Sequence, residues 1–528
     1  RESKRVLVDG GARPACNDGA LPANGMLYVG PWQCDCSLSL IGAMGKCSAG
    51  DFKFDYLATE ADNFQRLSTG KIEALRIAPD DWPTYRANNK RSASTPATLA
   101  RPNASADARP VPSWTYTPDG PHVPTTPVAA GGLVFSAGSD GKVRAINANT
   151  GQLRWTFSTC GPIKMAPTIA KSRAYIGSGD GYVYALEAAS GRLIWRFRAA
   201  PRDRKIMVYG NLCSTWPVNT GILVEDDTAY FAAGIIDSDG TYVYALDAES
   251  GEIKWQNNSS GHLVKDLRKG VSAQGNLTIR GPELLMAGGN QVSPARFTLN
   301  TGQCLNQPFQ QGNPKANHGK FAGLLLDKFP VVGGRILYSS PENVANKDSF
   351  VVNNGRQSLP LNFGGIPPAW NDEVIVVVNF RDGKLTCLDA KKAAQQIEKG
   401  LPQGKRRPAW SALADSLRSE DGVLWATNLD QKQFEVVSLA VTPACVVATV
   451  KYQNRNRAHP EWFLIAFNSR NGTPLNFWRH PLGGTPLPGG LMVGRRGQVV
   501  VTMLDGTIRS FAPLRPRRPQ QSDRRPGT

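Results

Sequence analysis

The chain has 528 residues, and its 61 lysines and arginines against 43 aspartates and glutamates give a formal net charge of +18 at pH 7. Hydrophobic residues make up 41% of the sequence and charged residues 20%, while 53 glycines and 38 prolines indicate many turns, so disorder over most of the length is excluded. No apolar run approaches the roughly 20 residues that a membrane helix needs, and no membrane span is predicted.

The first 78 residues are predicted to form a small β segment that resembles an orphan sheet of a repeat protein. They contain four of the nine cysteines, which are Cys16, Cys34, Cys36 and Cys47. Cys34 and Cys36 would point the same way on a strand, so each would need Cys16 or Cys47 to form a disulfide. Two disulfides, free or mixed thiols, and a four-thiolate metal site all stay open. The cysteine content favours an oxidising, exported setting.

Three segments further along the chain repeat one pattern. Each has an Asp-Gly step, an alternating apolar run, a Ser/Thr-Gly step and a tryptophan four residues later: Asp140, Gly151 and Trp155; Asp180, Gly191 and Trp195; Asp239, Gly251 and Trp255. Asp-Gly supplies the positive backbone angles of a tight turn, so each unit is predicted to be two successive hairpins. Four short strands cannot bury both faces alone, so neighbouring units must stack, with the tryptophans sealing the contacts.

Weaker copies extend the pattern to eight units of about fifty residues, the length of a propeller blade with generous loops. The last unit has three strands, and the isolated strand at Trp114 carries the tryptophan of a fourth, so pairing the two would close the ring. We therefore predict an all-β fold, an eight-bladed β-propeller of four-stranded antiparallel blades over residues 79–513, closed by an N-terminal strand. Residues 514–528 are predicted to be a disordered basic tail.

The run YVYALDAESGEIKW at residues 242–255 resembles the quinoprotein-type repeat of pyrroloquinoline quinone (PQQ) dehydrogenases and of the bacterial outer-membrane assembly propeller. The run DWPTYR at residues 81–86 is similar to the lead-in of such propellers. The resemblance implies a bacterial protein of the periplasm, cell envelope or extracellular space. It also implies one of two functions, because the family contains both quinone–calcium enzymes and non-catalytic scaffolds that bind proteins.

Those dehydrogenases use adjacent cysteines and a cluster of carboxylates for calcium. This sequence has no Cys-Cys pair and no convincing set of Glu, Asn and Asp on the expected loops. We therefore predict no cofactor, with PQQ and calcium as the alternative. No nucleophile elbow, zinc-binding helix motif or phosphate-binding loop occurs either, so no catalytic residue is assigned.

Propeller topology brings the loops between strands 2 and 3 and the loops between blades to one face. Four inter-blade loops carry ten lysines and arginines against two aspartates, which would attract anions. All five histidines also map to this face, although histidine in any loop would give the same pattern, and their spacing does not favour a metal site. The predicted partner-binding residues are His122, Lys164, Arg202, Arg204, Lys205, His262, Lys269, His318, His459 and His480.

These features predict a non-catalytic exported scaffold that binds a protein or an anionic polymer on its basic, histidine-bearing face. The alternative is a periplasmic PQQ-dependent dehydrogenase of alcohols or sugars. Nucleic-acid binding is disfavoured, because the basic loops lack interleaved exposed aromatic residues.

Overall fold

The structure is a computed structural model. It describes residues 20–29, 44–46, 56–59, 63–67, 70–99, 112–208, 210–235, 237–263, 270–288, 292, 294–306, 324–326, 337–339, 350–353, 358–361, 366–379, 384–393, 395, 422–429, 434–453, 459–475 and 479–511. Cys16, Cys34, Cys36, Cys47, the basic tail, Lys269 and His318 therefore lie outside the described residues.

The chain before the repeats contributes five strands. They are β1 (Ala20–Ala23), β2 (Met26–Val29), β3 (Met44–Lys46), β4 (Phe64–Arg66) and β5 (Trp114–Tyr116). Strands β1 to β3 form a small antiparallel sheet of their own, whereas β4 and β5 pair with sheets formed later in the chain.

In the part of the chain that the structure describes, eight further antiparallel sheets of three or more strands follow, and we number them 1 to 8 in chain order. Sheet 1 contains β6 (Val128–Ala130), β7 (Leu133–Ala137), β8 (Lys142–Asn147) and β9 (Leu153–Ser158). Sheet 2 contains β10 (Thr168–Ala170), β11 (Arg173–Gly177), β12 (Tyr182–Glu187) and β13 (Leu193–Arg198), and a separate hairpin follows with β14 (Lys205–Val208) and β15 (Asn211–Ser214). Sheet 3 contains β16 (Leu223–Glu225), β17 (Thr228–Ala233), β18 (Tyr242–Asp247) and β19 (Ile253–Asn257).

The next two sheets are sheet 4, with β20 (Gln274–Arg280), β21 (Glu283–Ala287) and β22 (Ala295–Thr298), and sheet 5, with β23 (Leu324–Leu326), β24 (Leu337–Ser339), β25 (Phe350–Asn353) and β26 (Ser358–Leu361). Sheet 6 contains β27 (Ala369–Trp370), β28 (Val374–Asn379), β29 (Lys384–Asp389) and β30 (Val423–Asn428). Sheet 7 contains β31 (Phe434–Val441), β32 (Cys445–Tyr452), β33 (Glu461–Asn468) and β34 (His480–Pro481), and sheet 8 contains β35 (Pro486–Val493), β36 (Val499–Met503) and β37 (Ile508–Phe511). Single 3-10 turns lie at Asp237–Asp239, Ser260–His262 and Arg495–Gly497.

The repeated turns explain the strand order. Gly141 and Gly181 have φ angles of +72° and +89°, so each Asp-Gly step reverses the chain between the second and third strands of its sheet. First strands of successive sheets are neighbours, as β6 is of β10 and β10 of β16. Their apolar side chains form cores between the sheets. The predicted all-β fold, with the four-stranded antiparallel sheets of a β-propeller, is confirmed.

A tryptophan on the outer strand of one sheet packs on a glycine of the next sheet. The indole Nε1 of Trp155 donates to the Ala188 carbonyl at 3.1 Å, and Gly191 lies on the ring. The same hydrogen bond joins Trp114 to Ala148 at 2.8 Å, Trp255 to Leu299 at 2.9 Å and Trp425 to Ser469 at 2.7 Å. The glycines that lie on the four tryptophan rings all have positive φ, so a side chain in their place would be strained as well as crowded; they are Gly151, Gly191, Gly302 and Gly472.

Trp195 packs on Gly251 but differs from the other tryptophans. The hydroxyl of Tyr175 donates to the Ala248 carbonyl at 2.8 Å, and Nε1 of Trp195 has no hydrogen-bond acceptor among the described residues. Phe64 of β4 also lies against this tryptophan, with ring centroids 6.4 Å apart. Strand β4 adds to the outer edge of sheet 2, so part of the predicted N-terminal segment is integrated into the repeats.

Strand β5 pairs with the last strand of the chain that the structure describes. Thr115 is in register with Arg509 of β37, and the Ser113 backbone N–H donates to the Ser510 carbonyl at 2.7 Å. Since Trp114 also bonds Ala148, this short strand joins sheet 8 and contacts sheet 1.

Residues 81–99, which we call the axial segment, contact the first strands of several sheets. Trp82 pairs with Ala129 of sheet 1, the Trp370 N–H of sheet 6 bonds the Ser92 carbonyl, and Thr95 donates to Val441 of sheet 7. These contacts lie at the ends of the first strands, next to the turns between strands 1 and 2. The axial segment therefore contacts these sheets at the end of their strands opposite the loops between strands 2 and 3.

Candidate functional site

The candidate site is the face formed by the loops between strands 2 and 3 and the connections between sheets, which we call the loop face. His122 lies between two sheets on this face. Gly138 beside sheet 1 and Gly506 of sheet 8 both pack against its ring, so that a Cβ at either glycine would meet the imidazole. The neighbouring side chains Val123 and Leu504 are 64% and 45% exposed. This part of the face is therefore mixed, with an imidazole among aliphatic groups.

Lys205 lies at the Asp180 turn of sheet 2. Its ammonium donates to the Asp180 carbonyl at 3.3 Å and forms an ion pair with Asp203 at 2.7 Å. Burial raises the pKa of the Cys213 thiol, and the positive charges of Lys164 and Lys205 act to lower it. Two of the predicted binding residues therefore act electrostatically on the same thiol.

Arg202 and Arg204 lie in the same connection between sheets 2 and 3. Arg202 is exposed, whereas Arg204 is partly buried and its carbonyl accepts the Thr215 N–H at 2.9 Å. Arg202, Arg204, Lys164 and Lys205 are four predicted binding cations in this connection and the one before it. Asp203 is the acidic residue of the 198–215 connection.

The remaining predicted histidines divide into two groups. His459 is exposed between β32 and β33, and His262 is partly buried in a 3-10 turn beside Asp237–Asp239. His480 differs from the prediction, since it begins strand β34 in register with Leu464 and is 4% exposed. Its ring lies 5.3 Å from that of Phe511, so apolar packing removes it from the surface and from the partner-binding set.

Sequence reasoning missed the β14–β15 hairpin. Its strands are in register from Lys205 and Ser214 at the base to Val208 and Asn211 near the tip. Met207 and Leu212 face each other on it and are 48% and 53% exposed. The signal was present in the short apolar runs on either side of Gly210, which has φ +73°.

A polar cavity of about 640 Å³ lies beside the axial segment, away from the loop face. Its walls include Asn89, Glu225, Trp370 and Asp372. The Asn89 side chain donates to Glu225 at 2.6 Å, and Trp370 is 3% exposed. These lining side chains therefore take part in hydrogen bonding and packing within the fold.

A quinone held with calcium needs several oxygen ligands gathered around the metal ion. Among the described residues, no three His, Cys, Asp or Glu side chains lie close enough to share a metal ion. Of the cysteines in the described part, at 160, 213, 304, 387 and 445, none is adjacent to another in the sequence. Nor does this part of the chain contain a helix long and apolar enough to cross a membrane.

The comparisons with known proteins agree with the repeat. A family model described as outer membrane protein assembly factor BamB matches residues 107–214 and 179–338. No curated protein has significant sequence similarity to the chain. The predicted resemblance to the PQQ-like propeller proteins is confirmed.

Solved structures give the same fold. A quinohemoprotein alcohol dehydrogenase from Pseudomonas putida HK5 is similar with a TM-score of 0.51 at 13% identity, over 85% of this chain and 82% of that one. The corresponding enzyme from Comamonas testosteroni has a TM-score of 0.51 at 14% identity, over 84% and 82%. A europium-containing methanol dehydrogenase has a TM-score of 0.50 at 11% identity, over 81% and 90%. At these identities the likeness is one of fold.

Proposed function

We propose that this chain is a non-catalytic, exported propeller that binds a protein or an anionic polymer through its loop face. The observation that carries the proposal is the positive charge at the connection between sheets 2 and 3, where Arg202, Arg204 and Lys205 follow one another closely, Lys205 bonds the Asp180 carbonyl, and the charge of Lys164 acts on Cys213 of the same connection. Clustered positive charge beside a few exposed aliphatic groups attracts acidic partners and holds them by mixed contacts.

The proposed architecture is a ring of eight blades. Sheets 1 to 8 would each be one blade, and strand β5 would supply the fourth strand of the last blade. Support comes from its pairing with β37 and from the Trp114 bond to Ala148, which repeats the contact of Trp155 with Ala188. The proposed domains are a β segment at 1–78, the propeller at 79–513 and a basic tail at 514–528.

An exported location in the bacterial periplasm or envelope is part of the proposal. The matched family is described as a factor in outer membrane protein assembly, which supports both this location and a protein as the partner. The histidines that belong to the proposed surface are His122, His262 and His459, and we extend it to Lys269 and His318 as predictions.

The alternative function is a PQQ-dependent oxidoreductase, favoured by the fold likeness to two alcohol dehydrogenases. When bound, the quinone would supply the two-electron oxidation. The test is to add PQQ and calcium to the full chain and to record quinone absorbance and dye reduction with alcohols and sugars. Saturable binding of PQQ with turnover would establish this alternative. If PQQ does not bind, the scaffold function stands as the proposal.

The direct test of the scaffold uses charge variants and polyglutamate as the probe. One variant replaces Lys164, Arg202, Arg204 and Lys205 with serine. Its control replaces four exposed cations near the other end of the sheets, Arg154, Lys391, Lys392 and Arg470. Both lose the same net charge, so only position differs.

We expect polyglutamate to bind the loop-face variant at least about tenfold more weakly than wild type, about 1.4 kcal/mol. The affinity of the control variant for polyglutamate should change less than about threefold. Its substituted cations would act on the bound probe only over a long distance, where salt screens the attraction. Equal losses in the two variants would contradict the proposed face, and so would binding that does not weaken as salt is added.

A further inference from the structure

We infer that the β14–β15 hairpin is the element of the loop face that grips the partner, and that the partner is a protein segment presenting aliphatic side chains among carboxylates. This inference rests on the proposed function and specifies its contact element and the partner's chemistry.

The hairpin has one buried face and one exposed face. Ile206 and Cys213 are paired and are 5% and 6% exposed, whereas the next pair, Met207 and Leu212, is 48% and 53% exposed. Because side chains alternate along a strand, one face is seated on the propeller while the other presents two adjacent aliphatic side chains to solvent.

An isolated two-stranded hairpin is only marginally stable in water, so this one depends on its base. The Ser214 N–H donates to the Gly179 carbonyl at 2.7 Å, and Thr215 N–H donates to the Arg204 carbonyl at 2.9 Å. The Lys205 ammonium adds a bond to the Asp180 carbonyl. The base is thus fixed to sheet 2, and the apolar pair projects from a positioned support.

The small N-terminal sheet adds further exposed apolar side chains near the hairpin. Its strand β3 lies against β14. That sheet pairs Leu21 with Tyr28, and these side chains are 65% and 39% exposed. Elsewhere, exposed leucines such as Leu153 and Leu424 sit singly on outer strands. Adjacent exposed apolar groups of this kind mark protein-binding surfaces.

The charges select the kind of partner. Arg202 and Arg204 directly precede the hairpin, Lys205 is its first residue and is paired with Asp203, and the charge of Lys164 acts on Cys213 in its second strand. A second copy of this chain would bring like charges together, with +18 on each molecule. A polyanion without apolar groups would leave Met207 and Leu212 exposed. An acidic protein segment with aliphatic side chains satisfies both features.

Two synthetic peptides test this inference on the full chain. One places leucines among glutamates, and the other has serines in place of the leucines at the same charge. The hairpin variant is Met207→Ser with Leu212→Ser, and its control is Leu153→Ser with Leu424→Ser. Thiol modification of the buried Cys213, located by mass spectrometry, checks that the hairpin stays seated.

We expect the wild type to bind the leucine peptide at least about tenfold more tightly than the serine peptide, since burying one aliphatic side chain contributes about 1.5–3 kcal/mol. The hairpin variant should lose this preference and bind the serine peptide as wild type does, and the control should keep it. A preference that survives in the hairpin variant would overturn the inference.

The failure of the inference is distinguishable from that of the proposed function. Suppose that the loss of four loop-face cations weakens the binding of both peptides, while the hairpin variant binds both as the wild type does. The proposed basic face is then supported, and the inference about the hairpin is wrong. If wild type binds neither peptide at low salt, both proposals fail. Wild-type self-association that the hairpin variant abolishes would replace the acidic partner with a second copy of the chain.

Discussion

The contact between Trp155 and Gly191 gives the sharpest test of how adjacent sheets are held together. Gly191 has φ +77°, and a methyl group added there would lie 2.6 Å from Cδ2 of Trp155. Positive φ costs a non-glycine residue about 1–2 kcal/mol, and overpacking costs about 1–3 kcal/mol. The Gly191→Ala substitution should therefore lower the free energy of unfolding by about 2–5 kcal/mol.

Gly132→Ala is the matched control. Gly132 has a similar φ of +85°, but nothing lies within 4 Å of the added methyl group, so it should show the backbone cost of about 1–2 kcal/mol without the crowding. The difference between the two variants then reports the contact with Trp155.

Equilibrium urea unfolding of both variants measures this difference. Repeating the pair in a Trp155→Ala background should remove the excess cost of Gly191→Ala, because the crowded ring is gone. Equal costs for the two glycines in the wild-type background would refute the packing argument. An excess that persists without the indole would refute its assignment to Trp155.

The remaining predictions concern buried polar groups and thiols. Hydrogen bonds from Arg192, Ser190 and the Glu73 N–H hold the pKa of Glu187 at about 2. The stability that this carboxylate contributes should therefore be lost as the pH falls from about 4.5 to about 2. The Glu187→Gln variant should lack this loss when the free energy of unfolding is measured against pH. Arg91 is fully buried and bonds the Thr84 hydroxyl at 2.9 Å, so Arg91→Ala should cost about 3 kcal/mol in urea unfolding, against about 0.5 for the exposed Lys90→Ala; equal costs would contradict this. The exposed Cys160 should react with a thiol reagent well before Cys387, whose pKa burial raises to about 12, and the reverse order by mass spectrometry would contradict their placement.

Local chemistry repeated along the chain explains why the fold was predictable. An Asp-Gly turn and a tryptophan four residues after a glycine impose the same two hairpins wherever they occur, so the strands around Asp140, Asp180 and Asp239 follow from sequence alone. The partnership of Trp114 with sheets 8 and 1 was also predictable, because a lone fourth strand needs three others.

Features that depend on long-range contacts were not predictable. Nothing local shows that Phe64 joins sheet 2 or that Arg91 is fully buried. His480 has the composition of a loop residue, and only packing against Phe511 draws it into a strand. The hairpin at Met207 was hidden because its short strands lack the repeat signature.

The central claim is that the sheets pack into a closed ring, which gathers the loops on one face. Ser113 and Ser510 test it directly, because their hydroxyl oxygens lie 3.2 Å apart although the residues are 397 positions apart in the chain. In a Ser113→Cys and Ser510→Cys variant, we expect a disulfide between the two positions under mild oxidation of the folded protein, identified by mass spectrometry of the linked peptides. It should be absent when Ser510→Cys is combined with a cysteine at the distant Thr228. A folded double variant in which the thiols of 113 and 510 stay free or pair with other cysteines would contradict the closed ring.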